Sequence, residues 1–430
     1  MYAIRKSGVW VLTILLFLQD WQLAGISVRT WLIYLYTVLL FFFFLREKKK
    51  PAAEGGKGIR KRKWEPFDCL LGLFLAWNVF QIVADSLGAD GCKERNFFAV
   101  AVILLFFVIS MEETPVSADG LLICSTLLFA GLFWRFFVEP SFTFNLRPLL
   151  QDEQALAAFL LLTGMIAAGK YCETEDKVKK HFYFMAALSG NFLLFVNGNI
   201  VGKALMGFFF PVLLLLHEPT KAFVKRVMEI AFTYFFLWAN MPLVTRIFPK
   251  LLEEKPYGME GGVFLELLMA VAGVFFFSYW EKLGEEEKPL YAFQKAVGWI
   301  LAAAGLLFFL LLSMGSRLDG IKGGYSVSLL QQFSAKLRNY CGAHNGTFFD
   351  VLEHYGIYGV IWLFGIVFTA GKRMQKQIRR KKVSPVLTAL FAMYLPQSLF
   401  FSQSPITVPV YAVLMAGAMY GDVRKKVEEE

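Results

Sequence analysis

Long apolar runs, separated by short charged or Gly/Pro breaks, recur from one end of the chain to the other. About fourteen are readable, near 8–25, 28–45, 67–84, 97–110, 118–138, 153–169, 182–196, 200–216, 227–245, 262–279, 296–314, 355–371, 386–402 and 406–421. A helix that crosses a bilayer needs roughly 20 such residues. The pattern therefore predicts an all-α polytopic integral membrane protein, a single transmembrane domain over 1–430. Runs 97–110 and 182–196 are short for a full crossing. The first run has no small-residue cleavage site after it and reads as a retained helix. The longest outer stretch, 315–350, separates the eleventh run from the twelfth. Within it Val327, Leu330, Phe333, Leu337 and Tyr340 fall at helical spacing, which predicts an amphipathic helix on the membrane surface.

The breaks carry the charge, and the charge is lopsided. With the N-terminus placed in the cytoplasm, the inner segments hold 31 Lys and Arg and the outer ones 12. The basic loop 46–66 and the segment 372–385 are the richest. This is the positive-inside pattern, and it predicts both termini in the cytoplasm and 315–350 outside. The inner turn 111–117 departs from it, with Glu112 and Glu113 and no base.

Composition agrees with a chain solvated by lipid. Of 430 residues 57% are hydrophobic, 17% aromatic and only 18% charged, where a soluble domain carries about 25% charge. A soluble enzyme, a disordered chain and a nucleic-acid binder are excluded. The net charge of +10 is spent on orientation and on contact with anionic lipid. Five Cys without a CxxC pair argue against a Cys-rich metal module or a disulfide scaffold. Cys92 and Cys341 both fall in outer loops and form a candidate disulfide; two free thiols is the plainer expectation.

Charged groups in or beside a membrane are expensive, so each is a candidate for function. At the outer face they are Arg135, Arg147, Lys203, Arg246, Glu266, Arg317, Lys322, Lys336, Arg338 and His344. Most loop cations are simply solvated. Of the four His, His181 and His217 lie at predicted cytoplasmic helix ends and His354 beside Tyr355 at the start of the twelfth helix. His344 sits in Gly342-Ala-His-Asn345-Gly-Thr-Phe-Phe-Asp-Val-Leu-Glu-His-Tyr-Gly356-Ile-Tyr-Gly359. The glycines would let a helix or lipid approach that backbone closely.

The stretch Gly315–Val360 resembles the C-terminal signature of the O-antigen ligase and O-antigen polymerase superfamily. It holds Ser316-Arg317-Leu318, then His344-Asn345, then Gly356-Ile357-Tyr358-Gly359, followed by three helices counting the one that opens there. Upstream, Arg147 leads into an Ala-rich helix, as in that family. Ten residues, Gly346 to Tyr355, separate the His-Asn pair from the first Gly, one more than the family's usual nine. Where the family often has an Arg after a central helix, this chain has Lys203, a point charge without the bidentate fork of Arg. The resemblance covers about 145–420.

The resemblance implies transfer of an oligosaccharide from an undecaprenyl-diphosphate carrier to an acceptor sugar hydroxyl on a glycan or glycolipid, at the outer face of the cytoplasmic membrane. Such transfer is metal-independent, and no cofactor is implied. Arg317 would hold the diphosphate and His344 would act as base, both catalytic. Arg147, Lys203, Asn345, Arg135 and Arg338 would bind substrate. Polymerase is slightly favoured over ligase by the helix count. A transporter or flippase of lipid-linked oligosaccharide is the alternative; it would more often show ionisable groups deep in helices or two matched halves.

Overall fold

The computed structural model describes residues 22–23, 26–48, 65–86, 93–111, 118–138, 153–197, 200–216, 220–247, 347–379, 384–400 and 407–420, with a few single positions between 291 and 303. These residues are helical almost throughout. Eleven long helices occur among them: α1 (Val28–Lys48), α2 (Pro66–Ser86), α3 (Lys93–Ser110), α4 (Asp119–Val138), α5 (Glu153–Glu173), α6 (Lys177–Val196), α7 (Ile200–Leu216), α8 (Lys221–Ile247), α9 (Thr347–Arg379), α10 (Pro385–Phe400) and α11 (Thr407–Tyr420). The runs 262–279 and 296–314, most of the first run and the amphipathic segment 325–340 lie outside the described residues.

The helices coincide with apolar runs, but several extend past them. The two short runs sit in helices of 18 and 20 residues, because polar stretches beginning at Lys93 and Lys177 are helical too. An apolar pattern stops at the first charge; a helix stops where its backbone is capped. Asp176 supplies such a cap, its carboxylate accepting from the Val178 and Lys179 N–H groups. The first run requires one correction. Gln22–Leu23, which the apolar pattern places in a helix ending at 25, pairs antiparallel with Ile26–Ser27. The extended Ser27 then caps α1, its hydroxyl accepting from the Thr30 N–H at 3.4 Å.

The chain divides into two compact units. Unit 1 comprises Met1–Leu121, Phe348–Thr388 and Gln403–Glu430. Its centre is α3, which packs against α1, α2 and α11; Ala101 and Leu105 on it are fully buried. Unit 2 comprises Leu122–Thr347 and Ala389–Ser402. Its centre is α5, flanked by α6, α7 and α8. The small residues of α5 permit this. A Cβ placed on Gly190 of α6 would lie 3.8 Å from the Gly164 Cα and 3.6 Å from the Phe129 ring, so α5 and α6 meet backbone to backbone.

Polar side chains within these helices turn back on their own backbone. Thr37, Thr163, Thr233 and Thr369 each donate to a carbonyl four residues earlier, and Asn78 does the same to Phe74. Such bonds satisfy a polar group without water. Two described helices, Pro66–Ala84 and Leu156–Glu173, are long and apolar enough to cross a membrane.

Candidate functional site

The end of unit 2 that the basic-residue count predicts to face outward is built where α6 ends and α7 begins. The α6 helix closes at Asn197, whose N–H donates to the Leu193 carbonyl at 2.8 Å. Three residues into α7 stands Lys203, 2% exposed. Its ammonium lies 5.8 Å from the centroid of the Phe195 ring, within reach of a cation–π attraction. Its carbonyl accepts the hydroxyl of Tyr234, a buried residue of α8. Phe195, Phe210 and Trp238 close around Tyr234, with ring centroids 5.1, 5.7 and 6.2 Å away. The buried cation thus lies over one aromatic face, while its backbone is tied to the Tyr234 cluster.

One turn further in, on the same face of α6 as Phe195, is Asn191. It is 2% exposed, and its amide oxygen has no hydrogen-bond partner among the described residues. That oxygen lies 3.0 Å from where a Cβ on Gly164 would sit, and Met206 is also adjacent. A single amide inside an apolar run was the available sequence signal for this position.

The predicted site residues fall into two groups. Lys203 and Arg135 are described, in opposite environments. Lys203 is buried; Arg135, in the last turn of α4, is exposed beside Trp134 and Phe137, which are 70% and 74% exposed. A cation there suits the negative end of the helix dipole. Arg147, Arg317, Arg338, His344 and Asn345 lie outside the described residues, as do Cys92 and Cys341. What is described is the helix that follows His344-Asn345: α9 starts at Thr347 and runs 33 residues without a break. Among the described residues no cluster of three or more His, Cys, Asp or Glu could hold a metal ion.

Sequence reading missed two polar assemblies, one in each unit. In unit 1, Asp68 is fully buried. Its carboxylate accepts from the Tyr420 hydroxyl, from the Glu65 N–H at 3.1 Å and from Arg373 Nη1 at 3.5 Å. Arg373 also pairs with Glu65 at 3.1 Å and lies over the Tyr420 ring, 3.9 Å from its centroid. Gln377 donates to the Met419 carbonyl at 3.0 Å. In unit 2, Arg226 donates to the Cys172 and Thr174 carbonyls at 3.2 and 2.9 Å and to Glu175 at 2.8 Å. That hydrogen bond from Arg226 holds the Glu175 carboxyl below the usual carboxylate range. Each arginine thus caps the C-terminal carbonyls of a helix other than its own. The residues of both assemblies fall in or next to segments that the basic-residue count assigns to the inside, 46–66, 170–181, 217–226, 372–385 and 422–430.

No protein family, no curated protein and no solved structure matches this chain.

Proposed function

We propose that the chain is a multi-pass protein of the cytoplasmic membrane, with about fourteen crossings, both termini inside, and an outward-facing glycosyltransferase site. It transfers an oligosaccharide from an undecaprenyl-diphosphate carrier to an acceptor sugar hydroxyl in surface polysaccharide assembly, with polymerase slightly favoured over ligase by the helix count. The observation that carries the activity is the run Ser316-Arg317-Leu318, His344-Asn345, Gly356 and Gly359, which resembles the O-antigen ligase and polymerase signature. Its His-Asn pair leads at once into α9.

The membrane reading has physical support. Large apolar side chains are exposed in stripes: Trp31, Leu35, Val38 and Phe42 on α1; Leu73, Trp77, Phe80 and Val83 on α2; Ile361, Phe364 and Phe368 on α9. A water-soluble monomer rarely exposes such continuous apolar area, whereas lipid solvates it. Thr and Asn groups bonded within their own helices fit the same medium.

In the proposed reaction the anomeric C–O bond to the diphosphate breaks as the acceptor oxygen bonds to that carbon. The diphosphate leaves with its electron pair, and Arg317 stabilises the growing charge, with Arg147 and Lys203. His344 accepts the acceptor's proton, and Asn345 orients the ring or a sugar hydroxyl. Diphosphate beside His344 would tend to keep it protonated, so the base role needs either neutralisation by Arg317 or a working pH above the raised pKa. Membrane lipid, the donor and the acceptor glycan are the partners; nucleic acid is not.

His344→Ala in reconstituted vesicles with lipid-linked donor is expected to lower transfer about 10²–10⁴-fold while donor binding persists. A rate near the parent's would sink the assignment. The buried Lys203 favours a second reading, a flippase of lipid-linked oligosaccharide, since transporters hold ionisable groups within helices. Movement of labelled donor across protein-containing vesicles, with no new glycosidic bond, would select it.

A further inference from the structure

We infer that Asp68, Arg373 and Tyr420 form a depth-setting lock, and that Arg373 is a positioning residue which fixes how far α9 reaches through the membrane. The inference rests on the membrane reading above, not on the chemistry of the reaction.

The starting point is length. At 33 residues, α9 is about 50 Å long, against a hydrocarbon core of roughly 30 Å. It therefore overshoots by about 20 Å, and apolar packing alone does not choose where the surplus goes. Lipid chains are as apolar as the side chains they touch, so sliding the helix by a turn changes little in that term. Its lipid-facing stripe is uniform too: Ile361, Phe364 and Phe368 are all exposed. Only contacts of fixed polar geometry define a depth.

Few such contacts join α9 to other helices of unit 1 among the described residues, and they concentrate at one end. In mid-helix, the Trp362 indole N–H donates to the Leu70 carbonyl at 3.2 Å, and Gly365 faces Leu70 closely. At the inner end Arg373 meets Glu65 just before α2, Asp68 on α2's first turn and the Met419 carbonyl on α11, while Gln377 meets that same carbonyl. Asp68 is fully buried, so a displaced Arg373 would leave a carboxylate without its countercharge. Tyr420 completes the set by donating to Asp68 and lying under the guanidinium. The lock needs α2, α9 and α11 together, with partners 305 and 352 positions apart in sequence. Outward of the membrane, α9 begins at Thr347, directly after the residues assigned to the reaction; its depth sets theirs.

The test separates depth from stability. Single cysteines at Thr347, Phe348, Phe349 and Asp350, in a background with the native Cys replaced, are labelled from outside with a membrane-impermeant maleimide. The pair Asp68→Leu with Arg373→Met removes the lock while leaving an apolar contact, an exchange that buried ion pairs often tolerate. The expected result is parental abundance and thermal midpoint with the labelling boundary displaced by three or four residues, about one helical turn. An unmoved boundary in that folded variant overturns the inference. Should the pair fail to accumulate, Tyr420→Phe, which keeps both charges, is expected to broaden the boundary by one or two residues, and a parental boundary there is equally fatal. If the parent transfers no glycan, the enzymatic reading fails but the labelling result still decides this one.

Discussion

Each of the two units has an arginine that ties helix ends together, and the two use this device with opposite weight. In unit 1 Arg373 faces a carboxylate with no solvent exposure; in unit 2 Arg226 faces Glu175, whose side chain is 82% exposed. Both arginines cap carbonyls at a helix end, Arg373 at Met419 and Arg226 at Cys172 and Thr174. The difference lies in what is left behind when the arginine goes. In unit 2 water replaces it at Glu175. In unit 1 nothing does. Unit 2 can rely on a lighter clamp because its helices hold each other through Gly164 and Gly190, where backbones touch.

The largest expected effect follows from that contrast. Arg373→Gln alone is expected to destabilise the detergent-solubilised protein by about 3–5 kcal/mol, the range for stripping one partner from a buried pair. Thermal unfolding measures it, and restoration by adding Asp68→Leu would show that the stranded carboxylate is the cause. A loss no larger than that of Arg226→Ala would erase the difference between the units.

Next comes the packing that replaces charge in unit 2. Gly164→Leu must displace the Asn191 amide and Met206, and overfilling of this kind costs about 1–3 kcal/mol. The same substitution at Gly131, which has nothing within 4 Å of an added Cβ, is expected to be silent. Equal losses at both positions would mean that α5 and α6 do not meet as described.

Arg226→Ala is expected to cost less, about 1–2 kcal/mol, from hydrogen bonds to the α5 carbonyls. Arg226→Lys should recover only part of it, since a single ammonium cannot span two carbonyls and a carboxylate.

The smallest effect belongs to Glu175 itself. Its carboxyl titrates below the ordinary range because Arg226 donates to it. Its contribution is therefore present above the unfolded carboxyl's pKa and is lost as pH falls through the lower, folded value. Glu175→Gln should flatten that part of the acid limb by lowering stability slightly at neutral pH, less than Arg226→Ala does, while leaving the acid end unchanged. A neutral-pH loss as large as that of Arg226→Ala would show that the exposed pair matters more than its solvation allows.

Much of the helical architecture was legible because it rests on local chemistry. An apolar run long enough to be a helix is read from its own residues, and α7 over 200–216 matches its run at both ends. Ends were less legible, since caps and polar turns decide them: α8 starts six residues before its run and α9 eight. At the first run, Ser27's cap and the short ladder at Gln22–Leu23 override the apolar pattern.

Of the candidate site, the sequence alone marked Lys203 as a cation at the edge of an apolar run, because charge beside such a run is visible without neighbours. That it lies over Phe195 and is held near Tyr234 required three helices to converge. Nothing local singles out Asp68, in the first turn of α2, or Arg373, one of several bases in 372–385. Their partnership is a long-range fact, set by which helix ends meet, and no local pattern encodes it. So helicity and the placing of basic charge were determined by the sequence, through hydrophobicity acting residue by residue. Which polar groups are buried together, and therefore which single substitutions are severe, was decided by the tertiary structure, because burial is a property of neighbours and not of a residue.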